Sequence, residues 1–179
     1  MLKEKYATEI EALLTRYPAG KERSAVLPLL HIAQDEYGHT SKEAIDEVAD
    51  ILGLDPTEVL GIAGFYTLYY EEPVGKYVLE VCNDLPCALR GADQFIEMAC
   101  RKLGVGLDET TPDGLFTIKN VMCLAACDRA PMLQCNLKYV EDLTEAKFDK
   151  LIADLRAEAE TGATESSVVQ KILVETLHD

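Results

Sequence analysis

Hydrophobic positions at the start of the chain recur three or four residues apart, which is the spacing of one face of an α-helix. They are Leu2, Tyr6, Ile10, Leu13, Leu14 and Tyr17. Pro18 and Gly20 follow and end this predicted helix. The same spacing returns in three further stretches up to about residue 70, so the pattern predicts a small N-terminal helical bundle.

Capping signals fix the expected starts of those three helices. Ser24 is placed to cap the first, and Thr40 with Glu43 has the spacing of a capping box for the second. The pair Asp55-Pro56 combines a favoured cap with a proline at the first helical position, and opens the third.

The hydrophobic period changes after about residue 73, where alternating positions typical of strands appear between helical stretches. The predicted order is strand 76–82, helix 92–104, strand 115–123, strand 131–136, strand 138–140 and helix 145–160. Residues 161–179 read as a polar linker followed by a weakly helical segment. The chain is therefore expected to hold a helical bundle, an α/β layout of about a hundred residues, and a tail.

Charge narrows the possible partners. The formal charge is −15, from 17 basic and 32 acidic residues, which argues against a nucleic-acid-binding protein. Residues 25–73 carry ten acidic residues and one base, Lys42. Two interpretations stay open: these are solvated helix faces, or they form a docking surface for a basic partner.

The cellular setting follows from what the sequence lacks. No apolar run is long enough to span a membrane, so no direct membrane insertion is expected. The first residues predict a charged amphipathic helix and not a signal peptide, which favours the reducing cytoplasm. Six cysteines in that setting point to metal binding, redox chemistry or burial.

The cysteines separate into two groups. Four lie in pairs where predicted strands end: Cys82 with Cys87, and Cys123 with Cys127. Because a sheet brings such loops side by side, these four thiols are candidate ligands of one site. The other two, Cys100 and Cys135, lie among hydrophobic residues and are expected to be small buried side chains.

Spacing alone leaves the identity of the metal open. Gaps of four and three residues, with about 35 residues between the pairs, suit a binuclear iron–sulfur group and also permit structural zinc. A thioredoxin-type C-x-x-C pair is absent. A Rieske centre needs two histidine ligands, and His31, His39 and His178 lie far from the cysteine loops in sequence.

Three segments together resemble one protein family, the small 2Fe–2S (24 kDa, NuoE-type) subunit of respiratory NADH:quinone oxidoreductase, or complex I. They are EVLGIAGFYTLY (58–69), PVGKYVLEVCNDLPCALRGA (73–92) and TPDGLFTIKNVMCLAACDRAPMLQCN (111–136), within a similarity that runs from about residue 8 to 157. The resemblance implies an α+β fold. Its expected domains are a helical bundle (1–72), a thioredoxin-like ferredoxin domain (73–160) and a C-terminal tail (161–179).

The resemblance also implies a function. One 2Fe–2S cluster is expected on Cys82, Cys87, Cys123 and Cys127, accepting an electron from FMN on a larger partner subunit that binds NADH and a 4Fe–4S cluster. Other expected partners are subunits of the peripheral arm, on the cytoplasmic side of the inner membrane. No catalytic residue is expected on this chain. The equivalent subunit of an NAD-linked hydrogenase or formate dehydrogenase is an alternative, and a zinc-stabilised interaction module is an alternative of a different class.

Charged residues beside the cysteines are candidates for tuning the cluster. Arg90 and Arg129 are the nearest positive charges in sequence, and each would raise the reduction potential by stabilising the reduced state. Asp84 and Asp128 would act in the opposite direction. The alternative for each arginine is a surface charge or a partner contact. No nucleotide-binding motif is visible, since the stretch GVGLDE has too few glycines and follows a helix.

Overall fold

The computed structural model describes residues 1–161, and these fall into two compact units. The first comprises Met1–Pro73 and the second begins at Val74. The sequence predictions for residues 162–179 lie outside the described residues. Among residues 1–161, no helix is both long and apolar enough to cross a membrane.

Helices alone make up the regular structure described in the first unit. They are α1 (Leu2–Lys5), α2 (Ala7–Leu14), a short 3₁₀ helix (Glu22–Ala25), α3 (Val26–Tyr37), α4 (Lys42–Leu52) and α5 (Pro56–Ala63). The predicted first helix is interrupted at Tyr6, whose backbone leaves helical geometry with φ −116° and ψ 29°. Its hydroxyl donates to Glu36 Oε2 at 2.8 Å. Fully buried side chains such as Leu30 and Val48 form the core of this unit.

The expected helix caps are partly confirmed. Asp55 accepts a hydrogen bond from the Thr57 N–H at 2.8 Å, as predicted. The prediction for Ser24 is wrong, because the 3₁₀ helix lies there and runs directly into α3. The capping box is also displaced by one residue. Ser41, and not Thr40, accepts from the Ala44 N–H at 3.1 Å, since the Thr40 hydroxyl instead donates to the Tyr70 carbonyl at 3.0 Å.

The second unit is built on a four-stranded mixed sheet. Its strands are β1 (Tyr77–Cys82), β2 (Phe116–Val121), β3 (Leu133–Cys135) and β4 (Lys138–Val140), and its helices are α6 (Leu85–Leu89), α7 (Ala92–Leu103) and α8 (Glu145–Thr161). The strand order is β2-β1-β3-β4. β1 and β2 are parallel, while β3 pairs antiparallel with both β1 and β4. With the helices of the first unit, this sheet confirms the predicted α+β class.

One face of the sheet packs against the helices. Alternate residues of β1 share a hydrophobic core with α7, α8 and the other strands; its members include Tyr77, Leu79, Val81, Phe95, Phe116, Ile118, Leu133 and Phe148. Because side chains alternate along a strand, Cys82 falls on the opposite face from Val81. It belongs to a small separate cluster with Cys87, Ala92, Ala130 and Met132. The sheet therefore separates the main core from the small cluster that contains Cys82 and Cys87.

Candidate metal centre

The first cysteine pair is held by the end of β1 and a short helix that the sequence pattern does not reveal. Cys82 is the last residue of β1, and α6 follows almost at once. The helix starts at Asp84, whose Oδ1 accepts from the Leu85 N–H at 2.9 Å, and Pro86 lies in its first turn. The expected loop is thus one helical turn, which buries the Cys87 thiol.

The second pair lies on an exposed turn after β2. Met122 leads from the strand to Cys123, and Cys127 begins a single 3₁₀ turn. Ala125 adopts a positive φ of 59°, and its N–H donates to Cys123 Sγ at 3.4 Å. Both cysteines of this pair are exposed, whereas both cysteines of the first pair are buried.

Parallel pairing brings the two cysteine pairs to one edge of the sheet. Cys82 and Val121 are the last residues in register between β1 and β2, so both strands leave the sheet together. The Cys82 thiol lies 3.6 Å from the Met122 carbonyl oxygen. The Cys87 thiol interacts with those of Cys82 and Cys127, and the Cys127 thiol interacts with those of Cys123 and Cys82, so the four side chains lie near one another. We call these four side chains the four-thiol site.

The protonation of these thiols indicates what they are suited to bind. Burial, together with a hydrogen bond to Cys82, raises the pKa of Cys87 to about 12. Partial desolvation and the nearby thiols of Cys123 and Cys82 raise the pKa of Cys127. Thiolates crowded in this way repel one another, so their protons are released readily only when a cationic group binds.

The donor set fits a binuclear group. Four sulfur donors are present as two neighbouring pairs, so that each pair can bind one iron of a 2Fe–2S cluster. Within residues 1–161, no three His, Cys, Asp or Glu side chains meet at the spacing of a single metal ion. The side-chain oxygen of Asn83, next to Cys82, is buried without a hydrogen-bond partner in the described part of the chain. If this amide were flipped, its NH₂ group would take the place of that oxygen and would present N–H donors there instead.

Backbone N–H groups of the two cysteine-bearing segments are candidate donors to the sulfurs. By sequence position they are those of Leu85, Ala88, Leu89, Ala125 and Ala126. Ala125 does donate to sulfur. The N–H groups of Leu85 and Ala88 instead donate to Asp84, because both are used to start α6. The missed helix is the reason for the difference.

Two side chains from outside the turn that bears Cys123 and Cys127 form hydrogen bonds with the backbone there. The Tyr139 hydroxyl, on β4, donates to the Leu124 carbonyl at 2.7 Å. Arg90 Nη1 lies 3.4 Å from the Asp128 carbonyl oxygen. Nothing in the sequence pattern singles out Tyr139, since its role depends on β4 lying beside the turn.

The remaining cysteines lie away from the four-thiol site. Cys135 pairs with Leu79 across β1 and β3, within the main core, and its burial raises its pKa to about 12. Cys100 is half-buried on α7 and packs against the same core. His31 and His39 belong to the first unit.

Three large apolar side chains close to the cysteines in sequence are exposed to solvent. Leu85 is 67% exposed and Leu89 is 78% exposed on α6, and Met122 is 73% exposed at the end of β2. We call these three residues the apolar rim.

Comparison with known proteins agrees with this geometry. A family model described as thioredoxin-like 2Fe-2S ferredoxin matches residues 10–156. NADH-quinone oxidoreductase subunit 2 of Thermus thermophilus is 44% identical over 83% of this chain and 82% of its own length. Another NADH-quinone oxidoreductase subunit, from Rhizobium meliloti, is 42% identical over 83% of this chain and 88% of its own length.

Solved structures show the same fold. The chain superposes on an air-oxidised NAD+-reducing NiFe hydrogenase with a TM-score of 0.66 and 22% identity, over 75% of this chain and 23% of the hydrogenase chain. That identity supports a shared fold and nothing further. The family model spans most of the sequence, and the relatives align over most of their own lengths. The chain therefore belongs to the thioredoxin-like 2Fe–2S ferredoxin family and carries one 2Fe–2S cluster.

Proposed function

We propose that this chain is the electron-transfer subunit of an NADH-quinone oxidoreductase, with its cluster held by Cys82, Cys87, Cys123 and Cys127. The observation that carries the proposal is the convergence of these four thiols at the parallel edge of β1 and β2. Relatives at 42–44% identity are subunits of that enzyme, which favours it over an NAD-linked hydrogenase or formate dehydrogenase as host.

The chain's own groups divide into ligands and supports. When bound, the cluster supplies transfer of one electron at a time. Cys82 and Cys87 are the buried ligands, and Cys123 and Cys127 are the exposed ones. The Ala125 N–H stabilises negative charge on the Cys123 sulfur, and that charge grows on reduction.

A partner has to deliver those electrons. NADH gives up a hydride, which carries two electrons, and this sequence contains no nucleotide-binding motif. We place FMN and NADH on a larger partner subunit, which also carries a 4Fe–4S cluster. A flavin there would supply the conversion of a two-electron hydride into single electrons for this chain. The apolar rim beside the exposed ligands is suited to contact that subunit, because docking there removes water from the path of transfer.

The rest of the chain has supporting roles. We propose that residues 1–72 form a helical bundle domain, that residues 73–160 form the cluster-binding domain, and that residues 161–179 are a separate tail. We place the assembled chain with the other subunits of the peripheral arm, on the cytoplasmic side of the membrane. The chain contributes to an oxidoreductase without a complete active site of its own.

Alanine substitution tests the ligand assignment. Replacing Cys82, Cys87, Cys123 or Cys127 in turn is expected to abolish or strongly reduce cluster binding, because each supplies a thiolate that no neighbour replaces. Cys135→Ala and Cys100→Ala are the matched controls and should retain iron and acid-labile sulfide, at a stability cost on the order of 1 kcal/mol. Loss of iron from Cys135→Ala, with one of the four ligands dispensable, would show that the assignment is wrong.

Adding NADH tests whether this chain needs the flavin-bearing partner for reduction of its cluster. The purified full chain should stay oxidised when NADH is added alone, and dithionite should reduce it by one electron, giving an EPR signal. Adding the flavin-bearing partner should restore NADH-dependent reduction to the extent that the two potentials allow. Rapid NADH-driven bleaching of the flavin-free chain would instead reveal a nucleotide site on this subunit.

A further inference from the structure

Two arginines lie close to the cysteines in sequence, and the structure gives them different surroundings. Arg90 is three residues after Cys87, and Arg129 is two residues after Cys127. Sequence proximity therefore assigns them similar roles. Their side-chain contacts indicate two different roles.

Arg90 connects the two halves of the four-thiol site. Its backbone N–H donates to the Cys87 carbonyl at 3.0 Å, where α6 ends. Its guanidinium reaches the Asp128 carbonyl, beside Cys127, with Nη1 to O at 3.4 Å. Within residues 1–161, no carboxylate lies within ion-pair distance of this guanidinium. Its positive charge is thus held between the element bearing the first cysteine pair and the turn bearing the second.

Arg129 is directed to a different place. Its Nε lies 3.4 Å from the Asp128 carboxylate and 4.0 Å from that of Glu141, and its Nη1 lies 3.8 Å from that of Asp142. Glu141 and Asp142 follow β4, and the Asp142 N–H donates to the Arg129 carbonyl at 2.8 Å. The Arg129 side chain therefore ties the turn that bears Cys123 and Cys127 to the end of β4.

We infer that Arg90 is the positioning residue that holds the two cysteine pairs together and raises the reduction potential of the cluster, and that Arg129 is a structural ion-pair residue. This inference rests on the proposed function. Reduction adds one electron to the site without forming or breaking a bond, so the site becomes more negative by one charge. A guanidinium fixed across the site favours that reduced state.

The size of the effect follows from Coulomb's law. A unit charge several ångströms away in partly solvated surroundings changes the free energy of reduction enough to alter the ratio of reduced to oxidised cluster about threefold to tenfold. A tenfold change corresponds to about 59 mV for a one-electron couple. Because Arg90 is exposed, salt should weaken its influence.

The test compares potentials of the cluster-loaded full chain in four forms: wild type, Arg90→Gln, Arg90→Lys and Arg129→Gln. Each is titrated with dithionite and mediators and followed by visible absorbance and EPR. At a fixed solution potential, Arg90→Gln should lower the ratio of reduced to oxidised cluster about threefold to tenfold. Arg90→Lys and Arg129→Gln should each stay within about twofold of wild type. The Arg90→Gln difference should shrink in about 0.5 M salt.

The outcomes separate this inference from the function on which it rests. A wild-type chain without a reducible cluster would overturn the proposed function itself. A normal wild-type cluster with an unchanged potential in Arg90→Gln, or with equal shifts in Arg90→Gln and Arg129→Gln, would overturn the role of Arg90 alone. If Arg90→Gln does not retain the cluster while Arg90→Lys does, the charge-dependent positioning role is supported.

Discussion

At the scale of single residues, the groups that shape the four-thiol site come from several parts of the second unit. Tyr139 belongs to β4 and Arg90 to the end of α6, and each bonds to a backbone carbonyl of the second cysteine turn. Each hydrogen bond of this kind contributes only about 1 kcal/mol to stability, and here it constrains the backbone on either side of Cys127.

His31 illustrates a residue-scale effect on stability in the first unit. Its ring lies 4.9 Å from that of Tyr69, and its burial lowers its pKa, while the charge of Asp35 acts in the opposite direction. Native protein therefore prefers neutral His31. Its contribution to stability is complete above the unfolded pKa, near 6.5, and is lost as the pH falls through the lower folded value.

The prediction is that the native state loses stability as the pH falls below about 6.5, and that His31→Gln weakens this dependence because it removes the titrating group. Urea unfolding of both proteins across that range, followed by far-UV circular dichroism, provides the measurement. Parallel stability curves for the two proteins would show that His31 does not contribute.

At the scale of elements, the approach of β1 to β2 depends on a glycine. The Gly75 N–H donates to Thr117 Oγ1 at 2.7 Å, just before β1 begins. A Cβ atom on Gly75 would lie 2.9 Å from backbone atoms of Leu115 and Phe116. Strands β1 and β2 can thus approach each other at this point only if residue 75 has no side chain.

Gly75→Ala is expected to destabilise the chain by about 1–3 kcal/mol, because backbone atoms have to move apart. Gly61→Ala is the matched control. Gly61 lies in the interior of α5, and an added Cβ there meets no atom within 4 Å. Since alanine favours helix, the control should be neutral or stabilising by up to about 1 kcal/mol. Chemical denaturation measures both, and a Gly75→Ala protein as stable as wild type would contradict the contact.

Elements with a strong local signal were predictable, and those set by tertiary contacts were not. The strands around Tyr77–Cys82 and Phe116–Val121 follow from alternation of hydrophobic residues. Helix α6 was missed because its five residues include a proline and are too few to show a period. The cap moved from Thr40 to Ser41 because the Thr40 hydroxyl is engaged by the Tyr70 carbonyl, a contact 30 residues away.

The same limit applies to the four-thiol site. The two pairs stand out by their spacing and by their position after strands, and the structure brings them together. The difference between Arg90 and Arg129 was not predictable, since it depends on where Glu141 and Asp142 lie after β4. Likewise, the apolar rim could not be recognised, because Leu85 and Leu89 look like core residues until their exposure is known.

At the scale of the whole molecule, charge and aromatic exposure bear on assembly. In the first unit, Tyr69 is buried and its hydroxyl donates to the Leu27 carbonyl at 2.8 Å, so it is a packing residue. Phe65 is 78% exposed and Tyr66 is 41% exposed. Acidic residues predominate in the same region, with ten between positions 25 and 73.

If that acidic region docks on a basic partner, raising the salt concentration should weaken the assembled complex, since exposed charges are screened within about 10 Å at 0.1 M. Dissociation constants measured across a salt series provide the test. Binding that is indifferent to salt would point to an apolar contact, and Phe65→Ser would then weaken it while leaving the salt response unchanged.

The parallel pairing of β1 with β2 also determines when, during folding, the four cysteines can form one site. About 35 residues separate the two cysteine pairs along the chain, so the complete four-thiol site exists only when both strands have met. Once inserted, the cluster acts as a cross-link that closes this long loop and restricts the unfolded chain. We therefore expect the cluster-free chain to open more readily at this edge than the loaded chain, and to be cleaved there sooner by an added protease.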